Sequence, residues 1–311
     1  MLFNRFLSQP FSMTVCAAAL SVALALPADA SGPEAQGAAD LPQYDRLLPL
    51  EGGSNFRDMG GYFTADGQQV RRGLLFRSGA MASLTEADQA YLEAFGFQRV
   101  IDLRSNEERD LYPNRWAEQQ GIELSSHDYS MREIIGHLMN EKGELQGMEE
   151  LYRHLHLQIK PQMSSFFDAA VSGQTPLVVN CSAGQDRTGL TSALLLIALG
   201  VPRDVVVQDY LQSTGYRRPH LERGDVDLAE AAKDNWFAEL MLRYQREDGA
   251  AHAAEPLLTA DGVPYLRFAL DRIEQDYGSI ERFLDVELGV DADGIRALRE
   301  RYLVATFTSA E

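Results

Sequence analysis

The sequence predicts an α/β protein in which helices flank a mainly parallel central sheet. Short apolar runs that are typical of buried strands alternate along the chain with longer segments that are typical of helices. The chain has 311 residues, of which 45% are hydrophobic, so it can bury a full core. Ligands bind to such sheets beyond the carboxyl ends of the strands, and functional residues are therefore expected in the loops that follow the strands.

Hydrophobic period and capping residues assign the strands and helices in chain order. The predicted strands are residues 73–77, 99–103, 122–125 and 177–179. The predicted helices are residues 86–95, 149–171, 188–199, 204–211, 263–277 and 280–288, with a last one from Asp291 or Asp293 to about Leu303. Thr85 and Ser279 are predicted N-caps, and Pro161 is expected to bend or interrupt the helical region that contains it. Residues 104–109 are predicted to open a charged loop.

Two segments precede the predicted domain, which spans residues 44–305. Residues 1–30 have the pattern of a secretory signal peptide, with Arg5 before an apolar stretch at 15–26 and a small-x-small cleavage pattern at the end. The apolar stretch is shorter than the roughly 20 residues that span a bilayer, and a retained N-terminal anchor is the alternative. Residues 31–43 are predicted to form a flexible leader. The sequence therefore predicts export to a bacterial periplasm or out of the cell, without stable membrane insertion after cleavage.

The turn between the strand at 177–179 and the helix at 188–199 carries the candidate chemistry. Cys181 lies at its start and Arg187 at its end. The residues between them are Ser182, Ala183, Gly184, Gln185 and Asp186. Small residues and a glycine allow successive backbone N–H groups to converge on one point, and the helix that follows adds the partial positive charge of its N-terminus. The turn is therefore a predicted phosphate-binding site.

The pairing of a cysteine with an arginine indicates phosphoryl transfer. A thiol beside a helix N-terminus and a cation can be a thiolate at neutral pH, and the thiolate is the nucleophile. The planar guanidinium of Arg187 can bind two phosphate oxygens at once. Attack of Cys181 on phosphorus would place charge on oxygens that the turn and the arginine already face. The expected product is a phospho-cysteine intermediate that water hydrolyses.

The string CSAGQDRTG at 181–189 resembles the signature loop of cysteine-dependent protein tyrosine phosphatases, and it is most similar to a bacterial subgroup of tyrosine-specific protein phosphatases. The string GGSNFRDMGGY at 52–62 and the segments 75–79 and 100–104 are also similar to that subgroup. The resemblance covers most of residues 50–305. It implies the α/β fold of these phosphatases and the hydrolysis of phosphate monoesters without a cofactor. Residues 181–187 are called the signature loop below.

The resemblance also implies substrates and site residues. The expected substrate is a phosphotyrosine in a protein or a small phosphate ester, and some members of the subgroup act on phosphoserine, phosphothreonine or phosphoinositides as well. Cys181 and Arg187 match the nucleophile and the phosphate-binding arginine. The general acid of the subgroup is attributed to the aspartate inside the loop, which matches Asp186. Other tyrosine phosphatases place the acid on a separate loop after a strand, and Asp128 occupies such a position.

Two residues depart from the pattern of the subgroup. Asn180 stands where a histidine that orders the loop is usual, and asparagine can donate hydrogen bonds but cannot carry charge. This change bears on the stabilisation of the thiolate. Gln185 stands where members that act on phosphoinositides tend to have lysine. The loss of that positive charge favours phosphotyrosine over phosphoinositides.

Composition excludes several other functions. The net charge of −18 repels nucleic acid and anionic lipid at long range, so an anionic substrate needs a local basic pocket. The six histidines show no metal-binding spacing, and no nucleotide-binding fingerprint is present, so neither a metal nor a cofactor is expected. Residues 213–262 are predicted to be either solvated helices or a helical lid. If these residues form a lid, their basic cluster could contact the anionic substrate. The cluster comprises Arg217, Arg218, His220 and Arg223.

Three alternatives remain beside a phosphotyrosine phosphatase. A sulfur-transfer enzyme would also pair a cysteine with an anion-binding turn, but the Cys-x5-Arg-Thr-Gly spacing suits tetrahedral phosphate better. A phosphate-binding module without turnover is favoured only by Asn180. A phosphatase that prefers phosphoinositides is the third alternative, which a panel of phosphopeptides and phosphoinositides would distinguish.

Overall fold

The computed structural model describes residues 44–137, 147–248 and 254–305. The predicted signal peptide and the predicted leader lie outside the described residues. Within the described ranges, no helix is both long enough and apolar enough to cross a membrane.

A five-stranded sheet lies at the centre of the fold. The strands in the described ranges are β1 (Arg57–Asp58), β2 (Gln68–Val70), β3 (Leu75–Ser78), β4 (Arg99–Asp102), β5 (Glu123–Ser126), β6 (Leu177–Asn180) and β7 (Leu303–Ala305). The central sheet has the order β1-β3-β6-β4-β5, and β2 pairs separately with β7. Strands β3, β6, β4 and β5 are parallel, whereas β1 is antiparallel to β3. The prediction of a mainly parallel sheet is confirmed.

Helices cover both faces of this sheet. Those in the described ranges are α1 (Glu86–Glu93), α2 (Asn106–Leu111), α3 (Arg115–Gln119), α4 (Met131–His137), α5 (Met148–Gln158), α6 (Lys160–Ser172), α7 (Arg187–Ala198), α8 (Arg203–Tyr216), α9 (Leu228–Ala231), α10 (Trp236–Asp248), α11 (Tyr265–Tyr277), α12 (Ile280–Leu288) and α13 (Ala292–Tyr302). The α/β class predicted from the sequence is thus confirmed.

Local capping signals fix several helix ends as predicted. Thr85 caps α1, and its side chain and that of Asp88 form a reciprocal capping box. Ser279 caps α12. Pro161 lies in the first turn of α6, so the helical region predicted at 149–171 is interrupted as expected. The prediction of a charged loop at 104–109 is wrong, because Ser105 caps α2 with a second capping box.

Alternate residues of the central strand β6 pack into two separate cores. Leu177 and Val179 belong to the larger core, which the apolar faces of α5, α6, α7, α11, α12 and α13 complete. Val178 belongs to the second core on the opposite face, with Phe76 and Val100 of the neighbouring strands. Helix α7 is almost entirely buried, as its nearly continuous apolar sequence predicts. This burial gives the signature loop, which precedes α7, a rigid support.

Residues 213–262 begin inside α8, which runs five residues beyond its predicted end at 211. Helices α9 and α10 follow, and Phe237 of α10 packs with Tyr112 and Ala80 in a small apolar cluster. This contact attaches α10 to the region that follows β3 and α2. The lid role of the segment stays a prediction.

Candidate active site

The signature loop lies at the carboxyl end of the parallel sheet. Ser78, Asn180, Asp102 and Ser126 end their strands in one row of the register. Cys181 follows directly after the central strand of this row. The structure therefore gathers the loops that follow four strands at one edge of the sheet, as the topology predicts.

The turn of the loop requires glycine at position 184. Gly184 has a φ of +66°, which is in the left-handed region. A Cβ at this position would lie 2.6 Å from the backbone nitrogen of Gly79 and 2.6 Å from the carbonyl carbon of Ser78. Neither backbone atom can move without displacing the end of β3, so the loop and that strand are packed in direct contact.

Two buried side chains bind the carbonyl groups of the loop. Asn55 donates from Nδ2 to the carbonyl oxygens of Ala183 at 3.1 Å and of Gly184 at 2.8 Å. Arg77 donates from Nη2 to the same oxygen of Gly184 at 2.9 Å. Asn55 itself has a φ of +56°, a conformation that asparagine tolerates better than most residues. These bonds hold two carbonyl dipoles toward the protein, an arrangement that keeps them from repelling an anion in the loop.

Asp209 of α8 binds three arginines on the inner side of the loop. Its carboxylate is bound by Arg46 at 2.7 Å, by Arg57 at 3.1 Å and by Arg77 at 2.7 Å. Tyr62 adds a hydrogen bond at 2.9 Å. Burial alone would raise the pKa of Asp209, but the three cations hold it well below the usual range, so the group is a carboxylate. The network connects α8 to the loop through Arg77.

Arg187 is oriented by a buried carboxylate that the sequence analysis did not identify. Glu108 of α2 binds Arg187 through both oxygens, with Nη1 to Oε2 at 2.6 Å and Nη2 to Oε1 at 2.7 Å. Burial would raise the pKa of Glu108, but the ion pair with Arg187 and its hydrogen bonds lower it to about 2. Nη1 also donates to the hydroxyl of Tyr129 at 2.7 Å. The guanidinium is therefore fixed in one plane at the start of α7.

The first residues of the loop are fixed by the same carboxylate. Cys181 is only 1% exposed and is the free cysteine among the described residues. The hydroxyl of Ser182 donates to Oε1 of Glu108 at 2.5 Å and lies 3.0 Å from the hydroxyl of Tyr112. Glu108 therefore binds both ends of the loop, Ser182 and Arg187.

The two candidate acids occupy different environments. Asp186 precedes α7 inside the loop, and its Oδ1 accepts a hydrogen bond from the buried hydroxyl of Tyr152. The side chain of Asp128 is 87% exposed and forms an ion pair with Arg109 at 2.7 Å. Its neighbour Tyr129 reaches the loop through Arg187. The structure thus places Asp186, but not the carboxylate of Asp128, next to the other loop residues.

Gln185 faces part of the predicted basic cluster. Its Oε1 accepts a hydrogen bond from Arg217, and its Nε2 donates to the carbonyl of Glu255 at 3.4 Å. Arg217 also forms an ion pair with Glu222 at 2.8 Å. Arg218, by contrast, donates to backbone carbonyls, including that of Glu51 at 2.9 Å. Arg217 is therefore the arginine of the cluster that contacts the loop, through its hydrogen bond to Gln185.

Asn180 is fully buried at the end of β6. Its Nδ2 lies 3.3 Å from Oδ1 of Asp102, which is held in turn by an ion pair with Arg104 at 2.6 Å. The Oδ1 of Asn180 has no hydrogen-bond partner among the described residues. The residue next to Cys181 therefore has a neutral amide side chain, which is hydrogen-bonded to the ion pair of Asp102 with Arg104.

No group of three or more His, Cys, Asp or Glu side chains suited to a metal ion is found within the described residues. His154 contacts Glu150 of its own helix at 2.8 Å. Burial lowers the pKa of His156 to about 4, so its ring is neutral at pH 7 and packs against Phe283.

An anion-binding loop between a parallel strand and a helix N-terminus is typical of enzymes that act on phosphate groups. The sequence model of a family described as the tyrosine phosphatase family matches residues 48–304. The chain belongs to this family and is a protein-tyrosine phosphatase. Membership of this family agrees with the phosphoryl-transfer chemistry that the sequence of the loop predicts.

Three relatives show how far the similarity extends. A candidate tyrosine-protein phosphatase of Cupriavidus necator is 30% identical over 285 residues, which cover 89% of this chain and 96% of the relative. The triple specificity protein phosphatase PtpB of Mycobacterium tuberculosis is 27% identical over 262 residues, or 76% of this chain and 91% of the relative. A tyrosine-protein phosphatase of Nostoc commune is 28% identical over 241 residues, or 72% of each chain.

Proposed function

We propose that this phosphatase hydrolyses phosphotyrosine monoesters through a phospho-cysteine intermediate on Cys181. The thiolate sulfur attacks phosphorus, the bond to the phenol oxygen breaks, and Asp186 donates its proton to that oxygen. Water then attacks phosphorus, the sulfur–phosphorus bond breaks, and the carboxylate of Asp186 takes the proton from water. The placement of Cys181, Asp186 and Arg187 in one loop at the end of β6 carries this proposal.

The hydrogen bonds of Arg187 support its role in phosphate binding. Arginine has five N–H donors. Nη1 is used by Glu108, Tyr129 and the carbonyl of Leu103, and one hydrogen of Nη2 is used by Glu108. The N–H of Nε and the second hydrogen of Nη2 lie on one side of the guanidinium, which is the pair that can bind two phosphate oxygens.

Asp186→Asn is expected to slow hydrolysis of an aryl phosphate with a poor leaving group by about 100-fold or more. A phenolate that leaves poorly needs a proton, and an amide cannot supply one. The loss should shrink as the leaving group becomes more acidic. The measurement is kcat for a series of aryl phosphates.

Asp128→Asn is the matched control for this series, because Asp128 is the other candidate acid and its exposed carboxylate is bound to Arg109. Its kcat should stay near that of the wild type for every leaving group. A leaving-group dependence in Asp128→Asn and none in Asp186→Asn would move the acid to the separate loop.

We also propose that phosphotyrosine esters are preferred over phosphoinositides. Gln185 is neutral, and the adjacent Arg217 is paired with Glu222, which reduces the positive charge beside the loop. The name of the Mycobacterium tuberculosis relative describes triple specificity, so additional substrate classes are worth testing directly. Export from the cytoplasm, expected from residues 1–30, is part of the same proposal.

Gln185→Lys should raise the ratio of phosphoinositide to phosphotyrosine activity by roughly tenfold, since one added charge near a second phosphate is worth about 1–2 kcal/mol. The measurement is kcat/KM for a phosphotyrosine peptide and a soluble phosphoinositide. Gln185→Met, which has a similar size and no charge, is the control and should not raise the ratio. A wild type that already prefers phosphoinositides would contradict the charge account and would point to Arg217.

A phosphate-binding module without turnover is the second candidate, and the neutral Asn180 beside Cys181 is the observation that favours it. A chromogenic aryl phosphate distinguishes the two functions. Hydrolysis without added metal and inhibition by vanadate and by thiol oxidants are expected of the phosphatase.

A further inference from the structure

Two buried tyrosines, Tyr152 and Tyr210, form a chain of hydrogen bonds that ends at Asp186. The hydroxyl of Tyr152, from α5, donates a hydrogen bond to Oδ1 of Asp186. The same hydroxyl lies 2.6 Å from the hydroxyl of Tyr210, from α8. Both tyrosines are fully buried. The loop aspartate is thus connected to two helices that lie far from it in sequence.

The direction of the two hydrogen bonds follows from the number of protons. A phenol has one proton to donate, and Tyr152 donates its proton to Asp186. Tyr210 must therefore donate to the oxygen of Tyr152, so the chain of donors runs from Tyr210 through Tyr152 to Asp186. Burial raises the pKa of Tyr152 well above 10, and the Asp186 carboxylate raises it further. Tyr152 therefore remains a donor at every pH near neutrality.

We propose that Tyr152 is a positioning residue that selects which carboxyl oxygen of Asp186 carries the catalytic proton. Because Oδ1 already accepts the proton of Tyr152, a second proton on Oδ1 would compete with it for the same oxygen. The acidic proton is therefore carried by Oδ2, and the anchored Oδ1 limits rotation of the carboxyl group. This inference rests on the proposed role of Asp186 as the general acid.

The tyrosine chain serves both half-reactions without rearrangement. When Asp186 gives the proton of Oδ2 to the leaving phenolate, the carboxylate that forms still accepts from Tyr152 at Oδ1. When water later attacks the phospho-cysteine, the free Oδ2 takes the proton from that water. No proton passes through the tyrosines, so their effect is on the geometry of the Asp186 carboxyl group.

The ring of Tyr152 is fixed independently of its hydroxyl. It stacks on Tyr265 of α11 with ring centroids 5.7 Å apart, and it meets Tyr210 edge-on with centroids 6.2 Å apart. Replacement of Tyr152 by phenylalanine keeps both ring contacts and removes the hydroxyl, which is the donor to Asp186 and the acceptor from Tyr210. The variant therefore separates positioning of the acid from packing of the core.

Tyr152→Phe is expected to lower kcat for a poor leaving group by about 10- to 100-fold, which is what loss of one hydrogen bond to a charged group costs. The loss should approach zero for a good leaving group, and KM should be unchanged. Tyr210→Phe should show a smaller loss with the same dependence. Tyr265→Phe is the control, because Tyr265 stacks on the ring of Tyr152 but is not one of the hydrogen-bonded residues Tyr210, Tyr152 and Asp186. Its kcat should match that of the wild type.

The double variant Tyr152→Phe with Asp186→Asn should be no slower than Asp186→Asn alone, because Tyr152 acts through Asp186. An equal loss for all leaving groups in Tyr152→Phe, or no loss at all, would overturn the positioning role while Asp186→Asn keeps its leaving-group dependence. If Asp186→Asn shows no such dependence, the acid assignment fails, and the positioning role fails with it.

Discussion

Cys181→Ser is expected to lower the hydrolysis of aryl phosphates by on the order of 10,000-fold or more, as removal of a catalytic nucleophile does in other enzymes. A serine hydroxyl is not ionised at neutral pH, and the carboxylates of Glu108 and Asp186 are bound to Arg187 and Tyr152. Serine is close in size to cysteine, so the buried position should be kept. The measurement is kcat together with calorimetric binding of phosphate.

Phosphate binding by Cys181→Ser is the internal control and should remain measurable. Arg187→Lys extends the test, because lysine cannot bind both oxygens of Glu108 and two phosphate oxygens. Its rate should fall roughly 100- to 1,000-fold. Arg203→Lys is the matched control, since its guanidinium binds Asp271 and Glu274 at the surface. Full activity in Cys181→Ser, or activity that depends on a divalent cation, would contradict the mechanism.

Asp209→Asn is expected to lower the free energy of unfolding by about 3–5 kcal/mol, since removal of one partner leaves buried charges without compensation. Arg57 and Arg77 are buried with Asp209, and Arg46 is partly exposed. The amide can accept a hydrogen bond but carries no negative charge to offset the three cations. The measurement is urea-induced unfolding followed by fluorescence.

Asp271→Asn is the control, because Asp271 pairs with Arg203 at an exposed position, where ion pairs contribute little. Its unfolding should match that of the wild type. Activity should also fall in Asp209→Asn, since Arg77 connects Asp209 to the carbonyl of Gly184. Unchanged stability in Asp209→Asn would show that the arginines are neutralised by other groups.

Local patterns predict most of the sheet and the helix ends. The apolar run at 177–179, the turn with Gly184 and the helix after Arg187 are each visible within a few residues. The sequence therefore predicts the strands next to the loop and the loop itself. Glu108 carried a local signal too, because Ser105-x-x-Glu108 is the pattern of a capping box. Its second role, binding Arg187, depends on a contact across 79 residues.

Long-range contacts explain what the sequence analysis missed. A charged residue in a predicted helix is ordinarily read as solvent-exposed, yet Asp209 is buried by arginines that lie 132 to 163 residues away. Tyr152 is separated from Asp186 by 34 residues and from Tyr210 by 58. The pairing of β2 with β7 joins positions near opposite ends of the domain. Hydrophobic period reports which face is buried, but it does not report which polar groups meet there.

Trapping of the phosphorylated enzyme tests the central claim most directly. An aryl phosphate with a good leaving group, which forms the intermediate faster than water hydrolyses it, is mixed with the full chain; the reaction is stopped within milliseconds, and the site of phosphorylation is located by mass spectrometry of peptides. The phosphoryl group should be found on Cys181 and should be absent from Cys181→Ser. Asp186→Asn should alter the amount of this intermediate and not its location. Turnover with the phosphoryl group on another residue, or with no phosphoenzyme under conditions in which hydrolysis of the intermediate limits the rate, would contradict the account.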